Sequence, residues 1–252
     1  MNNKKILYWS IVVALAGFLF GFDTVVISGA DKQLQQLWGS SDLYHGLVVM
    51  SSALWGTVIG AIFGSYPTNI LGRKKTLILI GLLFFISAIG TAFATDSIIF
   101  SIFRFLGGIG IGASTIAAPT YVSEIAPAKD RGKLVALYQF NIVFGILIAF
   151  TSNFYLQDIG ENSWRWMLGI QAFPAFVYTL LVFGIPESPR WIFEYKKDRA
   201  QAISILKQIN TDAQAEEEMA AIEKETAQEV KNESIFMKKY RTPLLLAFFI
   251  AF

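Results

Sequence analysis

Two residues in this chain carry charge where the surrounding sequence has none. Asp23 lies within LAGFLFGFDTVVISGA, and Arg104 within SIIFSIFRFLGGIGIG. Both stretches are long and apolar enough to lie in hydrocarbon. A charge at membrane depth is costly, so its default reading is functional, with a partner. An aspartate beside an arginine stays ionised. The same aspartate, separated from its partner in a dry cavity, takes up a proton. That is the chemistry of a proton switch coupled to a change of shape. The competing reading is a static ion pair that only fixes helix packing.

The elements that must position this pair follow from hydropathy. The chain has 252 residues, 54% of them hydrophobic and 16% charged. An ordinary soluble domain carries about a quarter charged residues. Apolar stretches of about 20 residues suffice to cross a bilayer. Six are read here, near residues 6–29, 44–66, 76–95, 98–121, 134–154 and 165–185. Helical rise puts Asp23 about 24 Å from the start of the first span. Arg104 lies about 9 Å below the start of the fourth. The first span begins on one side and the fourth on the other, so the two residues fall at similar depth. Spans one to three and four to six are expected to form two inverted three-helix repeats, as in many transporters.

Basic residues settle the expected orientation. Lys4, Lys5, Arg73, Lys74, Lys75, Lys129, Arg131, Lys133, Arg190, Lys196, Lys197 and Arg199 all fall on one side. The positive-inside rule makes that side cytoplasmic, with the N-terminus inside. The expected location is the cell inner (plasma) membrane, multi-pass, in contact with the lipid bilayer. The net charge of +2 adds little. The basic residues follow the membrane rule, so nucleic-acid binding has no support. There is no cysteine and one histidine, His45, which reads as a solvated loop side chain. No metal site, cofactor or enzyme active site is expected. A proton is the expected coupling ion.

The domain boundaries follow. Residues 1–186 read as a transmembrane bundle and 187–240 as a cytoplasmic linker of amphipathic helices. Residues 241–252 read as the start of a truncated seventh span. In the linker, Ile203, Leu206, Ile209, Met219 and Ile222 recur at helical spacing. They suggest a small bundle packed under the membrane domain. The sequon Asn232-Glu233-Ser234 falls on the cytoplasmic side, where no glycosylation is expected. Glycines recur every fourth residue at 56, 60 and 64, and again at 108 and 112. Small residues at that spacing let membrane helices approach closely.

Several stretches now match one family in order. They are Gly21-Phe22-Asp23, Arg104-Phe105-Leu106-Gly107-Gly108, and Pro119-Thr120-Tyr121-Val122-Ser123-Glu124-Ile125-Ala126-Pro127 with Arg131-Gly132. Trp164-Arg165-Trp166-Met167 and Pro186-Glu187-Ser188-Pro189-Arg190-Trp191 complete the set. The chain resembles the sugar porters of the major facilitator superfamily, as the N-terminal six-helix half. The loop after the second span departs from the superfamily pattern. Ser65, Asn69 and Ile70 stand where a glycine, an aspartate and a basic residue are usual, while Gly72, Arg73 and Lys74 match.

The resemblance implies proton symport of a monosaccharide, hexose or pentose, by alternating access. Asp23 would carry the proton and Arg104 would modulate it. Arg73, Glu124, Arg131, Glu187 and Arg190 would form a charge network gating the cytoplasmic side. Gln139 would contact sugar, since an amide both donates and accepts. Ile142 and Ile146 would flank the sugar ring, and Phe20 would line the same cavity. A C-terminal six-helix half would supply most of the sugar contacts. The alternatives are a facilitative uniporter of the same fold, a non-transporting sugar sensor, and an inactive half-transporter fragment.

Overall fold

The structure is a computed structural model describing residues 3–127 and 129–228, with Thr242 and Leu245. The sequon, the end of the linker and most of the expected seventh span lie outside the described residues.

Six helices among the described residues are long and apolar enough to cross a membrane. They are span one (Lys4–Gly29), span two (Asp42–Phe63), span three (Arg73–Ala92), span four (Ser97–Ile125), span five (Arg131–Leu156) and span six (Ser163–Phe183). Most run past the apolar stretches by a few residues. Hydropathy reads only the apolar part, whereas a helix continues as long as its backbone bonds are met. Span three therefore begins at Arg73, and the last turn of span four contains Glu124.

Local signals explain the ends. Asp96 caps span four, its carboxylate accepting from the Ile98 and Ile99 amides at 2.9 and 3.0 Å. Those two bonds hold the Asp96 carboxyl below its ordinary value, the Ile99 amide most of all. Gly72 precedes span three with φ of +97°, a conformation that disfavours other residues. It reverses the chain from the short helix Ser65–Ile70 into span three. Span two opens with one α-turn, Asp42–Tyr44, and continues through a π-helical stretch, His45–Met50. His45 differs from its expected solvated state. It is buried, with Nε2 2.8 Å from Asp31 Oδ1 and Nδ1 3.1 Å from Ser40 Oγ. Asp31, its Nε2 partner, opens the short helix Asp31–Trp38.

Spans one and five pack tightly together, and so do spans two and four. Spans three and six pair with each other behind them. Exchanging spans one to three for four to six maps this pattern onto itself. Glycine makes both tight contacts. A Cβ on Gly17 or Gly21 would strike main-chain oxygens of span five, at Tyr138 and Ile142. A Cβ on Gly56 or Gly60 would strike those of span four, at Phe105 and Ile109. Gly108 and Gly112 return the contact onto Ala53 and Thr57.

Two apolar clusters fill the bundle. The larger joins Trp9, Val13, Leu77, Phe84, Tyr121 and Tyr178. The smaller closes the end where Trp38, Phe100 and Trp164 meet edge to face, with centroids 5.1–6.3 Å apart. A third lies in the linker. Trp191, Ile192, Ile203, Leu206, Ala215 and Met219 pack between the helices Arg199–Leu206 and Asp212–Gln228 and the turn before them. Ile209 belongs instead to the main bundle cluster and ties the linker to it.

The glycine contacts predict a clean asymmetry. Gly60→Ala forces spans two and four apart and should cost about 1–3 kcal/mol, as overpacking does. Gly132→Ala meets nothing within 4 Å and should leave stability unchanged. Thermal unfolding of both variants in detergent checks this.

Candidate functional site

Asp23 lies near the end of span one, and Arg104 two turns into span four. Arg104 Nη1 donates to Asp23 Oδ1 at 2.7 Å, and Nη2 donates to the Asp23 main-chain oxygen at 2.9 Å. The two residues are 1% and 2% exposed. The approach of charged side chains from spans one and four depends on the small residues around them. Gly107, one turn after Arg104, faces Ser87 and Asp23, and a Cβ there would collide with the Ser87 hydroxyl. Nearby polar side chains tie neighbouring spans to span one. Asn153 Nδ2 donates to the Val26 oxygen at 3.0 Å and Gln171 Nε2 to the Leu19 oxygen at 3.4 Å.

A second charged centre lies at the basic end of the bundle. Arg73 grips Glu124 through Nε and Nη2, with distances of 2.8–3.2 Å. Both side chains are under a tenth exposed. Arg73 Nη1 also donates to the Thr68 oxygen at 3.3 Å. The described contacts of Glu187 are to main-chain amides. It accepts from the Lys74 amide at 3.0 Å and the Ser188 amide at 2.9 Å, and so caps the start of span three. A Cβ on Gly72 would collide with its carboxylate. Burial raises the Glu187 carboxyl above its ordinary value, while the two amides and Arg73 pull it back. Lys74 Nζ reaches the Phe183 oxygen at 2.9 Å, and Tyr121 Oη reaches that of Pro186 at 2.9 Å. Spans three, four and six are thus stitched together here.

Among the described residues, Arg73 and Glu124 pair with each other, Glu187 sits beside them, and Arg190 and Arg131 lie toward the linker. Arg190 joins the linker, bonding Glu194 at 2.7 Å and Glu225 at 2.9 Å. Arg131 is exposed, and its charge bears on Glu218 of the linker. The reason is that the linker helices fold back to this end and bring their own carboxylates. The sequence gives no sign of Glu194 or Glu225 as partners, because their positions depend on that fold.

The expected sugar contacts are brought together only in part. Ile142 and Phe20 are half-buried against the main apolar cluster, and Ile146 is half-buried one turn further along span five. Gln139 is exposed, beside exposed Phe140, Val143 and Leu147. It is not enclosed by the described residues. Spans two and five are the least buried of the six.

The family described as "Sugar (and other) transporter" matches residues 9–252. The chain belongs to this family. A "Glucose transport protein" of Synechocystis sp. (strain ATCC 27184 / PCC 6803 / Kazusa) is 43% identical over 203 residues, covering 76% of this chain and 43% of the relative. A "D-xylose-proton symporter" of Escherichia coli (strain K12) is 35% identical over 240 residues, covering 82% of this chain and 48% of the relative. The solved structure of the major facilitator proton:xylose symporter XylE with 6-bromo-6-deoxy-D-glucose matches with a TM-score of 0.85 at 32% identity. That match covers 90% of this chain and 54% of the other. The chain spans about half the length of the curated relatives it matches. The fold is the N-terminal half of a major facilitator transporter, and the protein is an integral membrane protein.

Two predictions follow from the basic end. Glu124→Ala leaves the Arg73 guanidinium buried without its carboxylate, which should cost about 3–5 kcal/mol in thermal unfolding. Glu187 binds its proton more tightly folded than unfolded. Its contribution to stability is therefore present below its ordinary value of 4.5 and lost as pH rises toward the raised one. Glu187→Gln should remove that part of the fall in melting temperature as pH rises from 4.5.

Proposed function

We propose that this chain is the N-terminal half of a proton-coupled monosaccharide symporter working by alternating access. One observation carries the reading: a buried Asp23–Arg104 pair on the corresponding spans of two three-helix repeats. Such a pair costs desolvation and is weak evidence for stability alone. In a membrane, buried ionisable groups mark ion and substrate paths. When the halves rock, Arg104 draws away and Asp23 takes the proton. Asp23 is the coupling acid, Arg104 its modulator, and no other cofactor enters.

The proton-coupled relative supports this reading, since its name states proton symport of D-xylose. A hexose or pentose is the substrate class. Gln139 contributes an amide to the sugar hydroxyls, with Ile142, Ile146 and Phe20 at the ring. The exposure of Gln139 suits a residue that meets a second half, as do the uncovered faces of spans two and five. Residues 1–186 act as one transmembrane unit, 187–240 as the linker and 241–252 as the start of the next span. The basic end is cytoplasmic by the positive-inside rule, with the N-terminus inside, in the plasma membrane. There the Arg73–Glu124 pair and the Glu187 cap act as a latch that holds spans three, four and six together.

A uniporter of the same fold needs no ionisable Asp23, and that difference supplies the test. In the full native polypeptide in proteoliposomes, Asp23→Asn should abolish uphill sugar accumulation under a proton gradient. Sugar exchange without a gradient should persist. Accumulation equal to the parent's sinks proton coupling and leaves facilitated transport.

A further inference from the structure

Three buried polar atoms of the Asp23–Arg104 pair and its surroundings have no protein hydrogen-bond partner: Asp23 Oδ2, Arg104 Nε and Ser87 Oγ. Their residues are buried on spans one, four and three. Arg104 engages Oδ1 and the main-chain oxygen of Asp23, which leaves Oδ2 without a donor. Buried polar groups are almost always paired, so each exception needs a reason.

Gly107 locates these atoms relative to one another. A Cβ built on it would collide with Ser87 Oγ and stand 3.8 Å from Asp23 Oδ2. The hydroxyl of span three and the free oxygen of span one therefore flank the same glycine of span four. Ser87 is also unusual in its own helix. Buried hydroxyls in this bundle commonly bond a carbonyl one turn back, as Thr76, Thr91, Ser101, Ser114 and Thr179 do. Ser87 does not use that partner, and its hydroxyl stays at the gap beside Gly107.

We propose that Ser87 and Asp23 hold one buried water at Gly107, beside the Arg104 ion pair. The Ser87 O–H donates to the water oxygen. The water donates one O–H to Asp23 Oδ2. Both atoms that flank Gly107 are then satisfied by one polar bridge, as buried waters commonly provide. The functional sense rests on the symport reading: Ser87 is a positioning residue that keeps the free oxygen of the coupling acid in contact with water.

The test is infrared difference spectroscopy of the full native polypeptide, comparing ordinary with oxygen-18 water. The parent should show a narrow O–H stretching band that shifts with the isotope. Ser87→Ala should lose it. Gly107→Ala, whose Cβ would take up the space beside the Ser87 hydroxyl, should lose it too. Ser10→Ala removes another unpartnered buried hydroxyl, on span one, and should retain the band. Absence of the band in the parent overturns the proposal, as does an unchanged band in a folded Ser87→Ala or Gly107→Ala protein. The band together with undiminished accumulation in Asp23→Asn would overturn the symport reading and leave the water site standing.

Discussion

Close backbone contact between helices is the constraint on which the rest of this structure depends. In hydrocarbon, apolar side chains gain little by meeting one another, so helices associate through packing and polar contacts. Here Gly17 and Gly21 let span one lie against span five, while Gly56, Gly60, Gly108 and Gly112 do the same for spans two and four. A side chain at any of these would meet another helix's backbone rather than a movable side chain. The two tight pairs leave spans one and four facing each other across the middle of the bundle. That is where Asp23 and Arg104 meet.

The pair is therefore held by the packing rather than being its cause. Arg104 spends one bond on a carboxylate oxygen and one on the main chain of the same residue. The second bond ties the guanidinium to the backbone of span one as well as to its carboxylate. The contact between spans one and four is thus carried by two hydrogen bonds to a single residue.

The sequence made some of this legible and hid the rest, for physical reasons. Asp23 and Arg104 stand out because charge in apolar surroundings is rare, and helical rise alone puts them at similar depth. The glycine spacing is equally visible, since close approach has only one cheap solution. Ser87 gave no signal: a serine in an apolar helix ordinarily bonds its own backbone, and only its neighbours show that this one does not. Arg73 and Glu124 were marked by their positions at span ends, but the departure of Arg190 and Arg131 was not. Those two answer to linker carboxylates 35 or more residues away in one case, as with Glu225, and such a meeting depends on how the linker folds. Gln139 could be placed on its helix by counting, yet what faces it depends on structure beyond the described residues.

The basic end shows how the linker enters the same logic. Glu187 closes the first turn of span three from the segment that follows span six, so two elements distant in sequence share one helix terminus. Trp191 adds a bond from its indole to the Asn69 oxygen, just before the Gly72 reversal. Arg190, next to it, turns the other way and holds Glu194 and Glu225. The short stretch from Glu187 to Trp191 therefore touches the membrane bundle on one side and the linker on the other. It is one of the links between the linker and span three, another being Ile209 in the apolar cluster that also holds Leu77. Individual exposed ion pairs there contribute little. The buried cap at Glu187 joins this stretch to span three, and the Arg73–Glu124 pair beside it joins span three to span four.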